Sequence, residues 1–324
     1  MIRKQIIVTS GKDRHNQQIP EEELFEIVQK INEGNTSIRL GVEHDPTVLP
    51  IGKIVNAKMV SISESEIAIE AEIDEFINDF NKMIGPCGDA WYVGESKLDR
   101  RPFVQNTHDY KGNILFSINP ISFQNKDFEF IKRTLEQEGI KVEENVQKAF
   151  SPEIQLAIEV VERLLVFLLV KKSTEKITDA ITDDIVKLYS LLKKGISLFF
   201  NSFSEYCKKV VVLSAPNSPI ELVVNADDVD LVINAYEKLE KLDIQSEIQK
   251  YEAYFEDVID KIQYLYTKDD NEWKVNYLTT KSGKSIGTEK CYLRAKTMYN
   301  KVLNSPAAGF SIGGSIKIEE EDNV

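Results

Sequence analysis

Residues 66–73, EIAIEAEI, set Ile67, Ile69, Ala71 and Ile73 two steps apart, with Glu66, Ala68, Glu70 and Glu72 at the other positions, the period of a half-buried β-strand. The pattern predicts further strands at 3–9 (RKQIIVT, closed by Ser10-Gly11-Lys12-Asp13), at about 36–43 and at 51–60. Pro20 followed by Glu21, Glu22 and Glu23 predicts a helix to about Glu33. A fixed φ suits the first helical position, and acids there complement the dipole. Leu24, Ile27, Val28 and Ile31 form the apolar stripe of this helix, and Gly34 ends it. Asp74 reads as the cap of a short helix over 75–84, with Phe76, Ile77, Phe80 and Met83 inward. Gly85-Pro86-Cys87-Gly88-Asp89 is a turn, AWYVGES a strand, and about 97–112 a polar connection. NILFSINPISF reads as a buried strand broken at Pro120; Asp127 then opens an amphipathic helix that Gly139 terminates.

The character changes at Ser151-Pro152-Glu153, where a cap, a first-turn proline and an acid predict a helix that is apolar almost all round through LLVFLLV at 164–170. A second helix follows from about Ser173, its stripe Ile177, Ile181, Ile185, Leu188, Leu192, Ile196 and Phe199. VVVL and IELVV flank Ser-Ala-Pro-Asn-Ser-Pro as a hairpin. Asp227-Asp228 opens a helix to about Leu242, and the acidic stretch 244–267 reads as one longer helix. WKVNYLTT is a strand with Gly283 in the turn beyond it, and Thr288-Glu289 starts a last helix to about Leu303. The fold class expected is α+β: a mixed, β-barrel-like domain over 1–150, then a mainly helical domain with a small β-sheet and an acidic tail over 151–324.

Length and charge narrow the field of functions. At 324 residues the chain exceeds one ordinary core. Forty Lys+Arg against 53 Asp+Glu give a net charge of −13, a field that repels phosphate backbones, so nucleic acid is not an expected partner. Cys87, Cys207 and Cys291 are too few and too dispersed for a disulfide framework or a zinc knuckle, and they suit a reducing cytoplasm. The start MIRKQIIVTSGKD lacks the apolar core of a signal peptide, so the expected location is cytoplasmic. Three histidines without ligand spacing give no metal site, and the absence of a P-loop or Gly-x-Gly-x-x-Gly leaves no cofactor to expect.

The stretch with most chemical content is 41–53, GVEHDPTVLPIGK. It resembles the histidine-bearing strand and turn of phage prohead maturation proteases, relatives of the herpesvirus assemblin-type serine peptidases, whose His-Asp-Pro-like step is followed by Pro-Ile-Gly. The resemblance covers about the first 150 residues and implies a hydrolase acting on a protein or peptide substrate. It makes His44 the general base, a role an imidazole can fill near neutral pH. Phe116-Ser117-Ile118 is similar to the family's Leu-Ser-Ile-Gly-like step and implies Ser117 as nucleophile, although Asn119 stands where the family has glycine. His108, beside Asp109, is the histidine available to orient the base.

Plainer readings stand beside these. His44 and Ser117 are equally residues a strand holds for structure, and His108 is an ordinary loop histidine. His15 has no supporting context, Ser151 is a helix cap, and Ser311 in GFSIGG matches the serine step by letter far from His44. Cys87 lies in a tight turn with no cation nearby to lower its pKa. Two alternatives to a peptidase follow. One is a non-catalytic binding or assembly module of the same fold, with a homo-oligomer or assembly partner in place of a substrate. The other is a membrane-acting effector built on helices 152–203, against which Glu159, Glu162 and Arg163 argue because charges are costly at a membrane centre.

Overall fold

The computed structural model describes residues 2–11, 19–42, 45–104, 112–118, 127–144, 154–170, 179–202, 209–239 and 242–304. In chain order the elements begin β1 (Ile2–Thr9), α1 (Glu21–Glu33), β2 (Ile38–Leu40), β3 (Gly52–Ser63), β4 (Glu66–Glu75), β5 (Asn81–Ile84) and β6 (Ala90–Glu95). Next come β7 (Ile114–Ile118), α2 (Asp127–Gln137), β8 (Lys141–Glu144), β9 (Ile154–Val160), α3 (Glu162–Val170) and α4 (Asp179–Asn201). The remainder are β10 (Lys209–Ser214), β11 (Ile220–Ala226), α5 (Val229–Glu237), α6 (Ile244–Phe255), β12 (Ile259–Thr267), β13 (Trp273–Thr280), β14 (Lys284–Thr288) and α7 (Glu289–Asn304). The protein is mixed α/β: among the described residues it has seven helices and two sheets, and neither sheet closes into a barrel. The chain falls into two compact units, Met1–Gln105 with Glu256–Asp260 and Leu278–Val324, and Asn106–Phe255 with Lys261–Tyr277. This partition interleaves along the chain, whereas the expected one at 150/151 follows chain order.

Unit one contains the antiparallel sheet β1-β4-β3-β2. Its edges β1 and β2 are not paired to each other, so the barrel-like expectation gives way to an open sheet. The alternation in β4 buries Ile69, Ala71 and Ile73, and Leu24, Ile27 and Ile31 of α1 are buried with them in unit one. Helix α1 keeps its predicted limits, but Gly34 is extended (φ −66°) and not left-handed. Glycine is needed there for room: a Cβ would meet the Lys30 carbonyl oxygen at 2.6 Å. The helix expected over 75–84 is absent; 81–84 is β5, paired antiparallel to β6. Asp74 caps nothing, because its Oδ2 accepts from Ser96 Oγ at 2.8 Å and from the Lys97 N–H at 3.2 Å. Strand β6 pairs with β14, and α7 packs against both, with Tyr292 stacked on Tyr92 at 4.0 Å between ring centroids.

Unit two carries the strand order β8-β7-β9-β10-β11-β12, with β9 parallel to β10, β10 antiparallel to β11, and β11 parallel to β12. Register places Phe116, Ile158, Leu213, Leu222 and Tyr264 on one face. Helices cover that face. A Cβ on Gly195 of α4 would meet the Phe116 ring at 2.8 Å, Tyr264 donates to Glu247 of α6 at 2.7 Å, and Lys209 lies over the Phe200 ring of α4. Two expected helices are corrected here. Residues 154–160 form β9 before the helix begins at 162, since IQLAIEV also alternates and its apolar members Leu156, Ile158 and Val160 are fully buried. The acidic stretch 244–267 breaks at Glu256 (φ 51°), and 259–267 becomes β12. The part of the chain expected to be mainly helical therefore holds β9 to β14 beside α3 to α7. Among the described residues no helix is long and apolar enough to cross a membrane.

Candidate functional site

In unit one, residues 45–51 form a buried loop running into β3. Asp45 is 3 % exposed and fully engaged: Oδ1 accepts from the Thr47 N–H at 2.8 Å and the Thr47 hydroxyl at 2.7 Å. Its Oδ2 accepts from Arg294 Nη2 of α7 at 2.5 Å. Cys291, one turn earlier on α7, donates to the Thr47 carbonyl at 3.6 Å, and burial pushes its thiol up to about 12. Leu49 fills the space a side chain at Gly287 would need, with Cδ1 2.7 Å from where that Cβ would lie. The turn is thus clamped onto the last helix by the Asp45–Arg294 ion pair and the Cys291 thiol, and braced within itself by the two Thr47 bonds to Asp45. His44 itself lies outside the described residues, as do His15 and His108.

The stretch 41–53 ends at Lys53, a fully buried lysine. Its Nζ donates to the carbonyls of Asp99, at 2.9 Å, and Arg101, and lies 4.7 Å from the centre of the Phe103 ring. Arg101 binds the Asp99 carboxylate through Nε and Nη2 and donates from Nη1 to the carbonyls of Ile31 and Gly34 at 2.9 Å each. Those are the exposed carbonyls that the end of a helix leaves without intrahelical partners. Burial works to raise the Asp99 carboxyl, but the hydrogen bonds and charge of Arg101 outweigh it and hold it below the usual carboxylate range. Burial lowers Lys53 to about 8, with the Asp99 charge opposing the fall.

In unit two, Ser117 lies in β7 with strands on both sides, opposite Glu143 of β8 and Ala157 of β9, and is 6 % exposed. Ladders on both sides use the backbone N–H and C=O groups at this point, so Ser117 stands within a sheet and not on the exposed turn that acyl transfer favours. Its side shares a transverse row that sequence reading missed: Lys141, Leu115, Glu159, Ser214, Glu221 and Gln263 are directly opposite one another on successive strands. Glu221 accepts from Lys261 Nζ at 2.7 Å and Gln263 Nε2 at 2.6 Å, and Gln263 Oε1 accepts from Asn276 at 2.6 Å. The available signal was the alternation of apolar Ile154, Leu156, Ile158 and Val160 with Gln155, Ala157 and Glu159, which the proline-led helix reading hid.

Cys87 is exposed in its turn, and Cys207, Ser151 and Ser311 lie outside the described residues. Among the described residues no group of three or more His, Cys, Asp or Glu side chains is placed to hold a metal ion. No protein-family model, no curated protein and no solved structure matches the chain.

Proposed function

We propose that this protein is a non-catalytic binding or assembly module that retains a peptidase-like stretch without peptidase chemistry. The observation that supports this reading best is the setting of Ser117. It occupies an inner strand, its backbone groups serve two ladders, and Asn119 replaces the glycine that would let a carbonyl carbon approach. Asp45 in the His-Asp-Pro step points the same way, since Oδ1 is taken up by Thr47 within the loop and Oδ2 by Arg294 of α7. In the polar row of unit two, Ser214 and Glu221 stay partly exposed beside buried Glu159 and Gln263, and they are the groups such a module would offer to a partner. The test is chemical. Folded protein is treated with a fluorescent fluorophosphonate and, separately, with a peptide library read by mass spectrometry. Neither labelling nor cleavage is expected, and Ser117→Ala should leave both readouts unchanged. Labelling on Ser117, with cleavage lost in Ser117→Ala and His44→Ala, would restore the serine peptidase reading.

A further inference from the structure

Residues 96–104 are tied across unit one by a run of polar bonds and by the buried Phe103 ring. Ser96 binds Asp74 of β4; Arg101 caps the end of α1; the Ser37 N–H donates to the Pro102 carbonyl at 2.8 Å, and the Val104 N–H to the Ser37 carbonyl at 2.9 Å. Lys53 is the centre of these ties, with two carbonyls and one ring of the segment converging on its Nζ. From the far side Gly283, in the turn before β14 (φ 80°), closes over the site. A Cβ there would collide with Lys53 Nζ and lie 2.5 Å from the Arg101 carbonyl oxygen.

We propose that residues 96–104 form a proton-linked clasp on unit one: opening the segment moves Lys53 Nζ from the interior to water and takes up a proton. The charged groups around it are few. The segment presents the Asp99 carboxylate and the Arg101 guanidinium, and β4 presents Asp74. On the hairpin side Asp257 and Lys284 hold each other at 3.1 Å. One carboxylate paired to Arg101 does not replace the water that a buried ammonium loses, which agrees with the lowered value near 8. The sign follows. Lys53 binds its proton more weakly when the clasp is closed than when it is open, where about 10.4 applies. Below pH 8 the closed form carries the full cost of a buried ammonium. Between about 8 and 10.4 that cost lapses, so rising pH tightens the clasp.

The experiment is hydrogen–deuterium exchange of the full chain, read on peptides spanning 96–104 and corrected for intrinsic exchange, from pH 7 to 10. Protection in the wild type should climb on the order of fifty-fold across that range, as expected for uptake of one proton on opening. Lys53→Met should abolish the slope while peptides from unit two stay unchanged. Equal slopes in the two proteins, or a flat wild type, would overturn the clasp. If Lys53→Met does not fold, the 13Cε resonances of labelled lysine in the wild type decide. One lysine titrating near pH 8 supports the proposal, and midpoints above 10 for every lysine overturn it.

Discussion

Asp45→Ala tests whether the 45–51 loop is held as a structural clamp. The substitution strands two donors of Thr47, a residue with no exposure, and one Arg294 bond. Each Thr47 donor left unpaired costs about 1–2 kcal/mol. The Arg294 side chain is 33 % exposed and regains water, so the lost ion pair adds only about 1 kcal/mol. The sum is about 3–5 kcal/mol. Asp45→Asn keeps an acceptor for Thr47 and should cost about 1 kcal/mol. The two tryptophans allow a local readout, because Trp91 belongs to unit one and Trp273 to unit two. In a Trp273→Phe background, urea unfolding followed by Trp91 fluorescence should shift its midpoint by about 1.5–2.5 M for Asp45→Ala, taking a slope of about 2 kcal/mol/M. Arg294→Ala combined with Asp45→Ala should then show coupling of about 1 kcal/mol. A loss below about 0.5 kcal/mol for Asp45→Ala, or equal losses for Ala and Asn, would refute the clamp.

Two further outcomes are expected. Gly195→Ala puts a Cβ 2.6 Å from Ile140 Cδ1 and 2.8 Å from the Phe116 ring, so overpacking of about 1–3 kcal/mol should outweigh a helix-propensity gain of about 1. A net loss is expected for unit two by Trp273 fluorescence, and a net gain would show that α4 sits farther from the sheet. At pH 8.5 iodoacetamide should alkylate exposed Cys87 and spare Cys291, whose thiol burial raises to about 12, until denaturant is added. Peptide mass spectrometry reads both sites, and equal labelling rates would contradict the buried position of Cys291.

Much of the local structure is legible because it is decided within a few residues. Helix α1 follows from Pro20, three acids and a stripe at three- and four-residue steps, and α2 ends at Gly139, which takes φ 87° as a helix-terminating glycine should. The hairpin of β10 and β11 turns at Pro216-Asn217, with Asn217 at φ 59°. The errors fall where two periods compete. At 154–160 a proline-led start outweighed an alternating strand, and at 259–267 the charges of Asp260 and Lys261 suggested an exposed helix. Both charges are tolerated in a strand because Lys281 pairs with Asp260 in unit one and Glu221 with Lys261 in unit two.

The candidate site divides the same way. The sequence by itself determined that 41–53 is a stretch of unusual content, that Ser117 lies in a buried apolar strand, and that the chain is acidic without a metal or nucleotide motif. These are properties of neighbouring residues and of totals. Tertiary structure alone decided what those residues touch. Asp45 meets Arg294 across 249 positions, and Lys53 meets two carbonyls more than forty positions away. The row from Lys141 to Gln263 exists because six strands come into register. Periodicity fixes which face a side chain takes, but burial and partners depend on strand order and pairing, which a pattern of period two leaves open.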